Sequence, residues 1–396
     1  MKGNRKRLEV FVVIVALAIL LPPALALADS HDRFQTPRII EYEAPGAGTS
    51  VGLGTQAPGI NAAGAVTGLY SDANNVMHGF LRTPEGRLIT FEAPGAGMTP
   101  GEVLHITPAG VVGGQGTYSL AINPEGAIAG FYYDASNVAH GYLRAPDGSF
   151  TTFDNAYAGT DKRQGTFAKN INPAGVITGE YSDVGYNHHG FVRTPDGEVT
   201  NFDAPGAGTG AGQGTYVFAT SCINPEGAVT GSYIDAVGAA HGFVRTPGGL
   251  IAEFDVPGAG TGGGQGTYSW SINPAGAVTA EYVDGANVNH GFVRARDGHI
   301  TTFDVPDAGT GAGQGTVGNG INAGGAITGY YIDNSGVNHG FVRAPDGRIT
   351  KFDVPDAGTG AGQGTIPMTN NAAGEITGAY FDNNGVLHAF LRLAVP

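Results

Sequence analysis

Apolar and polar positions alternate along this chain in short runs, and the runs recur with a long period. From Ile272 to Gly320 the sequence reads INPAGAVTAEYVDGANVNHGFVRARDGHITTFDVPDAGTGAGQGTVGNG, and then it begins again. Copies start at Ile60, Ile122, Ile171, Ile223, Ile272, Ile321 and, in a weaker form, Asn370, at intervals of 62, 49, 52, 49, 49 and 49 residues. Within one copy, turn signals cut the pattern into four short segments rich in β-branched and aromatic residues. For the copy at Ile272 these are an inner strand about Thr267–Asn273, a second over Ala277–Asp284, a third over His290–Arg294 and an outer strand over His299–Val305. Asn273-Pro274-Ala275-Gly276 reads as a type I turn and Asp297-Gly298 as a hairpin turn. No segment sustains a helical period, so the chain is expected to be all-β.

A period of this length matches one four-stranded propeller blade, a sheet that buries its faces only when neighbours stack on it. The sequence therefore predicts a seven-bladed β-propeller of about 49-residue, four-stranded blades. Arg38–Thr49 (RIIEYEAPGAGT) matches the last third of a unit, and the final copy stops at HAFLRLAVP without that third. The N-terminal strand, read over Ile39–Glu43, is thus expected to complete the last blade and close the ring, which removes free sheet edges. Two intervals are irregular. The first linker has an insertion at about Met98–Gly110, carrying Glu102 and His105, and the fourth copy has three extra residues before Ile223. Insertions of this kind fall in surface loops.

Residues 1–28 have a basic start (Lys2, Arg5, Lys6, Arg7), an apolar run from Phe11 to Leu21, a Pro22-Pro23 break and an Ala26-Leu27-Ala28 ending. This is the order of a secretory signal with cleavage after Ala28, the alternative being a retained membrane anchor. Residues 29–37 form a leader and 38–396 the propeller, placed in the secreted or periplasmic space with no membrane insertion after cleavage. The net charge is −14; without residues 1–28 the body keeps 16 basic and 33 acidic residues. Nucleic acid is a poor partner for so acidic a surface. Cys222 is the only cysteine, which excludes an internal disulfide and reads as a small buried thiol.

The most regular polar feature is an Asp followed six residues later by a His: Asp72/His78, Asp134/His140, Asp183/His189, Asp235/His241, Asp284/His290, Asp333/His339 and Asp382/His388. Such a pair suits acid–base or metal chemistry. A pair repeated in every unit, however, behaves as a fold determinant, and here it is expected to bridge a hairpin. An Arg follows each His by four (Arg82, Arg144, Arg193, Arg245, Arg294, Arg343, Arg392) and is expected to form an ion pair with acids of the turn or the neighbouring blade. The glycine-rich linkers lack the Lys-Ser/Thr and the helix of a phosphate-binding loop. The turns Asp333-Asn334-Ser335-Gly336 and Asp382-Asn383-Asn384-Gly385 hint at calcium but offer one carboxylate each, so no cofactor is expected.

Departures from the repeat are the better guide to a site. Lys162 and Arg163 stand where other linkers have glycine or alanine, Lys169 and Asn170 interrupt an inner strand, and the only tryptophan, Trp270, occupies the Lys169-equivalent position. Together they are expected to line one side of an axial pocket for an anionic or sugar-like ligand, the alternative being solvated loop charges and interblade packing.

The long pattern INxxGxIxGxYxDxxGxxHGFxRxPDGxITxFDxPGA, with His388-Ala389-Phe390 in the last copy, resembles the bacterial extracellular repeats named after their His-Ala-Phe (HAF) triplet. The resemblance covers the whole mature chain, although six copies carry Gly-Phe or Gly-Tyr in place of Ala-Phe. It implies an exported repeat protein and supplies no catalytic residue. WD and kelch patterns are absent. The function expected is a non-catalytic binding or scaffolding propeller, monomeric, for a glycan, a cell-envelope component or a protein. The alternative is a propeller lyase or hydrolase acting on a polysaccharide or lactone in an axial pocket.

Overall fold

The computed structural model describes residues 37–100, 105–106, 112–217 and 221–394. All regular structure in them is β. The signal-like segment, most of the leader, Glu102 and the centre of the first insertion lie outside the described residues. From that insertion the structure places His105–Ile106 against Val112–Gly113 in a separate two-stranded sheet.

Each repeat folds as an antiparallel meander. In the sixth, Gly315–Ile321 pairs with Ile327–Ile332, that strand with Asn338–Arg343, and that one with Ile349–Phe352. Alternation along the third strand buries the Phe of His-Gly-Phe completely, and Phe80, Phe191, Phe243, Phe292, Phe341 and Phe390 are the largest such side chains together with Tyr142. The Gly before it has a specific cause. A Cβ on Gly79 would meet the Phe91 ring of the paired outer strand at 2.5 Å, and one on Gly291 the Phe303 ring at 2.6 Å. In the last repeat the residue opposite is Tyr42, and there alanine (Ala389) is accommodated.

The expectation of a seven-bladed propeller built from separate four-stranded blades is corrected. Hydrogen bonding runs through all the repeats as one 29-stranded sheet, because each third strand also bridges, in parallel, to the inner strand of the next repeat. The bridges join Met77 to Gly116, Ala139 to Gly165, His188 to Gly214, Ala240 to Gly266, Asn289 to Gly315 and Asn338 to Gly364. Glycine makes this weld: these residues have φ between 107° and 120°, and any Cβ would lie 2.0–2.1 Å from the carbonyl oxygen across the bridge. The repeats also differ. The inner strand of the fourth shrinks to Gly214–Tyr216, and that of the fifth breaks into Gly266–Thr267 and Ser271–Ile272. The fold is accordingly propeller-like and all-β, with hydrogen bonds shared between neighbouring repeats.

The two ends of the sheet meet. Ile39–Tyr42 pairs antiparallel with Leu387–Arg392, and Gly54 bridges Leu387 in parallel. Around the seam, Thr55 Oγ1 donates to Glu43 and accepts from the Ala44 amide, and Tyr380 donates its hydroxyl proton to Glu41 at 2.7 Å.

Candidate functional site

The Asn of the recurring Ile-Asn starts a turn and closes it with its own side chain. Asn273 Oδ1 accepts from the Ala277 amide, which leaves its Nδ2 free to donate to the Asn322 carbonyl of the next repeat at 3.2 Å. The same donation runs from Asn61 to Asn123, Asn172 to Asn224, Asn224 to Asn273, Asn322 to Asn371 and Asn371 back to Asn61. Six of these buried amides thus form a belt around the axis, each donating to the turn of the next repeat. The belt rims a funnel of about 230 Å³, lined by the Ile-Asn segments together with Pro58, Leu120, Asn170, Ser221 and Thr369. Sequence reasoning noticed the recurring Ile-Asn but missed this role, although a polar residue kept at one phase of every repeat was the available signal.

The seven histidines lie far from this funnel in sequence phase, each in a clamp of its own. His189 has Nδ1 at 2.9 Å from Asp203 Oδ1, Nε2 at 3.5 Å from Asp183, and its ring stacked on Tyr181 at 4.8 Å. His140, His241, His290 and His339 repeat the arrangement with Asp154, Asp255, Asp304 and Asp353 beyond the outer strand and Asp134, Asp235, Asp284 and Asp333 at the hairpin. His78 uses Glu92 and Asp72, and His388 uses Glu43 and Asp382. The second acid was not foreseen, though the aromatic-acid ending of each unit carries it, Phe-Asp in five units, Phe91-Glu92 and Tyr42-Glu43 in the others. Hydrogen bonds to Asp154, Asp203 and Glu43 raise His140, His189 and His388 above the usual imidazole value. For His78 burial opposes the rise, but Glu92 and Asp72 outweigh it. Each hairpin Asp spends one carboxylate oxygen on two turn amides, as Asp183 does with Gly185 and Asn187.

Among the described residues, these arginines do not form the expected ion pairs. Their guanidinium groups lie 4.7–5.2 Å from the centre of an outer-strand ring of the preceding repeat: Arg82 over Tyr42, Arg144 over Phe91, Arg193 over Phe153, Arg245 over Phe202, Arg294 over Phe254, Arg343 over Phe303 and Arg392 over Phe352. A weakly hydrated planar cation can be buried against an aromatic face where a carboxylate pair would cost more desolvation. The glycine linkers are likewise internally occupied. Gln213 Oε1 accepts from the Gly210 amide and its Nε2 donates to the Ala236 carbonyl, Gln265 and Gln363 do the same in their loops, and Gln314 Oε1 accepts from the Gly311 amide.

The five asymmetric residues do not share one pocket wall. Asn170 lines the funnel, whereas Lys169 and Trp270 are not among its lining residues. Lys169 is buried 3.6 Å from Glu180 Oε1 and lies over Phe131 and Phe167. Glu180 in turn accepts from the Val217 amide and stands 3.9 Å from His188, whose pKa is lowered by burial. At the equivalent place in the fifth repeat, Trp270 donates its indole N–H to Glu281, whose burial pushes the carboxyl up from 4.5 to about 7. The rise implies a cost of ionising Glu281 in the fold on the order of 3 kcal/mol. Replacing Glu281 with Gln, which keeps an acceptor for the indole, is expected to stabilise the protein by on the order of 2 kcal/mol at pH 8.5 and hardly at all at pH 5. Equal effects at the two pH values in urea unfolding would refute this assignment.

Lys162 and Arg163 sit on the exposed linker that enters the third repeat. Arg163 has φ 69°, in the left-handed region where the equivalent Gly212, Gly264, Gly313 and Gly362 have 74–78°. Replacing Arg163 by glycine is expected to stabilise the fold by about 0.5–1 kcal/mol. A loss of stability in the same unfolding experiment would show that contacts of the side chain outweigh the backbone strain. Cys222 is buried, and burial pushes its thiol well up, so it is an inert packing residue. Among the described residues there is no group of three or more His, Cys, Asp or Glu side chains placed to hold a metal ion.

No family model matches the sequence, and none of the curated proteins is similar to it. Among solved structures, the fold is similar to the BP39L lectin from Burkholderia pseudomallei, with a TM-score of 0.51 and 10% identity, covering 91% of this chain and 97% of that one. It is also similar to a puromycin hydrolase mutant complexed with PGG, with a TM-score of 0.50 and 11% identity, covering 83% of this chain and 50% of that one. The chain spans half the length of that hydrolase structure. At these identities the likeness is one of fold, and it places the chain among propeller-like all-β proteins.

Proposed function

We propose that the protein is an exported, monomeric binding module of the HAF-repeat type, and that its ligand is a glycan, presented either free or on a cell envelope. The observation that carries this reading is the way the described acid–base groups are used. Each of the seven histidines is held between two carboxylates in the same structural clamp, and each clamp is repeated around the ring. Groups so engaged are scaffolding, and on this reading the ligand is taken where repeats differ, at the Asn170 side of the funnel or at the Lys162–Arg163 linker. The lectin among the structural neighbours supports the same reading.

The competing reading is a lyase or hydrolase that uses Lys169 and Trp270 in an axial pocket, and a hydrolase neighbour lends it support. Against it, Lys169 is taken up by Glu180 and Trp270 by Glu281. The test is a glycan array probed with protein from residue 29 onward, run beside turnover assays on polysaccharide and lactone substrates. Binding without turnover is expected. Turnover that disappears on joint replacement of Lys169 and Trp270 would overturn the binding reading in favour of the enzyme.

A further inference from the structure

We propose that the axial funnel binds the terminal ring of an uncharged saccharide carrying an acetamido group, held by Asn123 and Asn170 where the second and third repeats meet. The inference rests on the binding reading above and deepens it by choosing the funnel over the linker and naming the class of sugar. It starts from the asparagine belt. In six repeats the belt asparagine donates its Nδ2 to the next turn, but among the described residues Asn123 makes no such donation to the third repeat. Its Oδ1 accepts from the Ala127 amide, so Nδ2 is the part of this side chain that the described residues do not use. Asn123 is buried and lines the funnel.

A second amide stands in the neighbouring repeat. Asn170 occupies a position held by Ala121 in the second repeat and Gly320 in the sixth. It is 5% exposed and lines the funnel, and no described residue hydrogen-bonds to its side chain. Ala121 and Ile171 belong to one buried cluster, which brings the two segments together. Other polar groups of the lining are engaged with each other or with the backbone: Asn370 donates to the Ala326 carbonyl at 3.0 Å, and the Ser221 and Thr369 hydroxyls lie 3.5 Å apart. Buried polar groups are nearly always hydrogen-bonded, so two amides without a protein partner on one cavity wall mark the place where a ligand supplies it.

The rest of the lining fixes the chemistry of that ligand. None of the described lining residues is ionisable, so a charged group would enter without a counter-charge. The isoleucines of six repeats and the prolines of their turns make an apolar wall, which suits the C–H face of a sugar ring and a methyl group. Asn170 offers both a donor and an acceptor, the complement of the C=O and N–H of a secondary amide, and Asn123 adds a donor for the same carbonyl or an adjoining hydroxyl. An acetamido group combines that amide with a methyl. At about 230 Å³ the funnel falls below the roughly 300–1,000 Å³ of sites that enclose a drug-sized ligand, so it takes one ring end-on with the rest of the chain outside.

The test is calorimetric titration of the native protein with chitotriose and, separately, with cellotriose, which has hydroxyls in place of the acetamido groups. The variant Asn170→Ala copies Ala121 of a sibling repeat that folds. Chitotriose is expected to bind the native protein with little dependence on salt, at least about tenfold more tightly than cellotriose, and about tenfold more weakly to the variant. A second measurement needs no variant: saturating the isoleucine methyl resonances of the native protein should transfer most strongly to the acetyl methyl of bound chitotriose. If Asn170→Ala binds chitotriose as tightly as the native protein, if cellotriose binds equally well, or if the acetyl methyl receives no transfer, this site is wrong while the glycan-binding reading stands. If neither oligomer binds, the inference fails alone when the glycan array gives another ligand, and together with the binding reading when the array is empty.

Discussion

Replacing Phe390 with alanine is expected to destabilise the protein by about 3–5 kcal/mol, the cost of emptying a fully buried aromatic site in a core that cannot collapse around the hole. Phe390 is 0% exposed and packs with Val354, Ile376 and Tyr380. Its position also matters for closure. Its strand pairs on one side with Ile376–Phe381 and on the other with Ile39–Tyr42, where Glu41 lies directly opposite, and its carbonyl accepts from Thr377. The cavity therefore opens beside the join between the first and last strands, and amides of residues 39–42 should exchange faster in the variant. The equivalent change at Phe292, which is as buried but lies within a covalently continuous repeat, should cost a similar free energy without that selective effect on the first strand. A loss below about 1 kcal/mol at Phe390 would mean that the last repeat is not packed as described.

The thermal midpoint of unfolding is expected to peak between about pH 4 and 6.5 and to fall on both sides, the limits being the ordinary carboxylate and imidazole values. On the alkaline side, His78, His140, His189 and His388 have raised pKa values in the folded protein. Their contribution is complete below the unfolded imidazole value and is lost as the pH rises through the higher folded one. Glu281 acts in the same sense, since its buried carboxyl must ionise above about 7. On the acid side, Asp183, Asp235, Asp284, Asp333 and Asp382 are held below the usual carboxylate range by turn amides and their His partners. That contribution is complete above the unfolded carboxylate value and fades as the pH falls through the lower folded one. His188, lowered by burial, also disfavours acid. A midpoint that climbs steadily from pH 6 to 9 would contradict the clamps.

The period, the strand order within a unit and the all-β class were legible because each has a local cause: alternation for strands, Pro and Gly for turns, and a fixed interval for repeats. The His and the hairpin Asp were legible as a pair for the same reason. What escaped was set between repeats. Whether Gly315 or Gly364 merely turns the chain or welds it to the strand before depends on a carbonyl that lies 26 residues away in sequence, at Asn289 or Asn338. Missing that weld led to separate blades where one continuous sheet exists. The arginines were misread because charge suggests an acid partner, while the aromatic residue that stacks on each one belongs to the preceding unit. Of the asymmetric residues, the sequence singled out Lys169 and Trp270 correctly as departures but could not show that Glu180 and Glu281, eleven positions on, depart with them and take them up.

The ring exists only if the sheet joins its first strand to its last, and hydrogen–deuterium exchange of the peptide covering residues 39–42 measures that join most directly. Protection comparable to that of the outer strand Leu88–Phe91, which is held in an ordinary covalent hairpin, is the expected result. Exchange at the rate of a free peptide would contradict it.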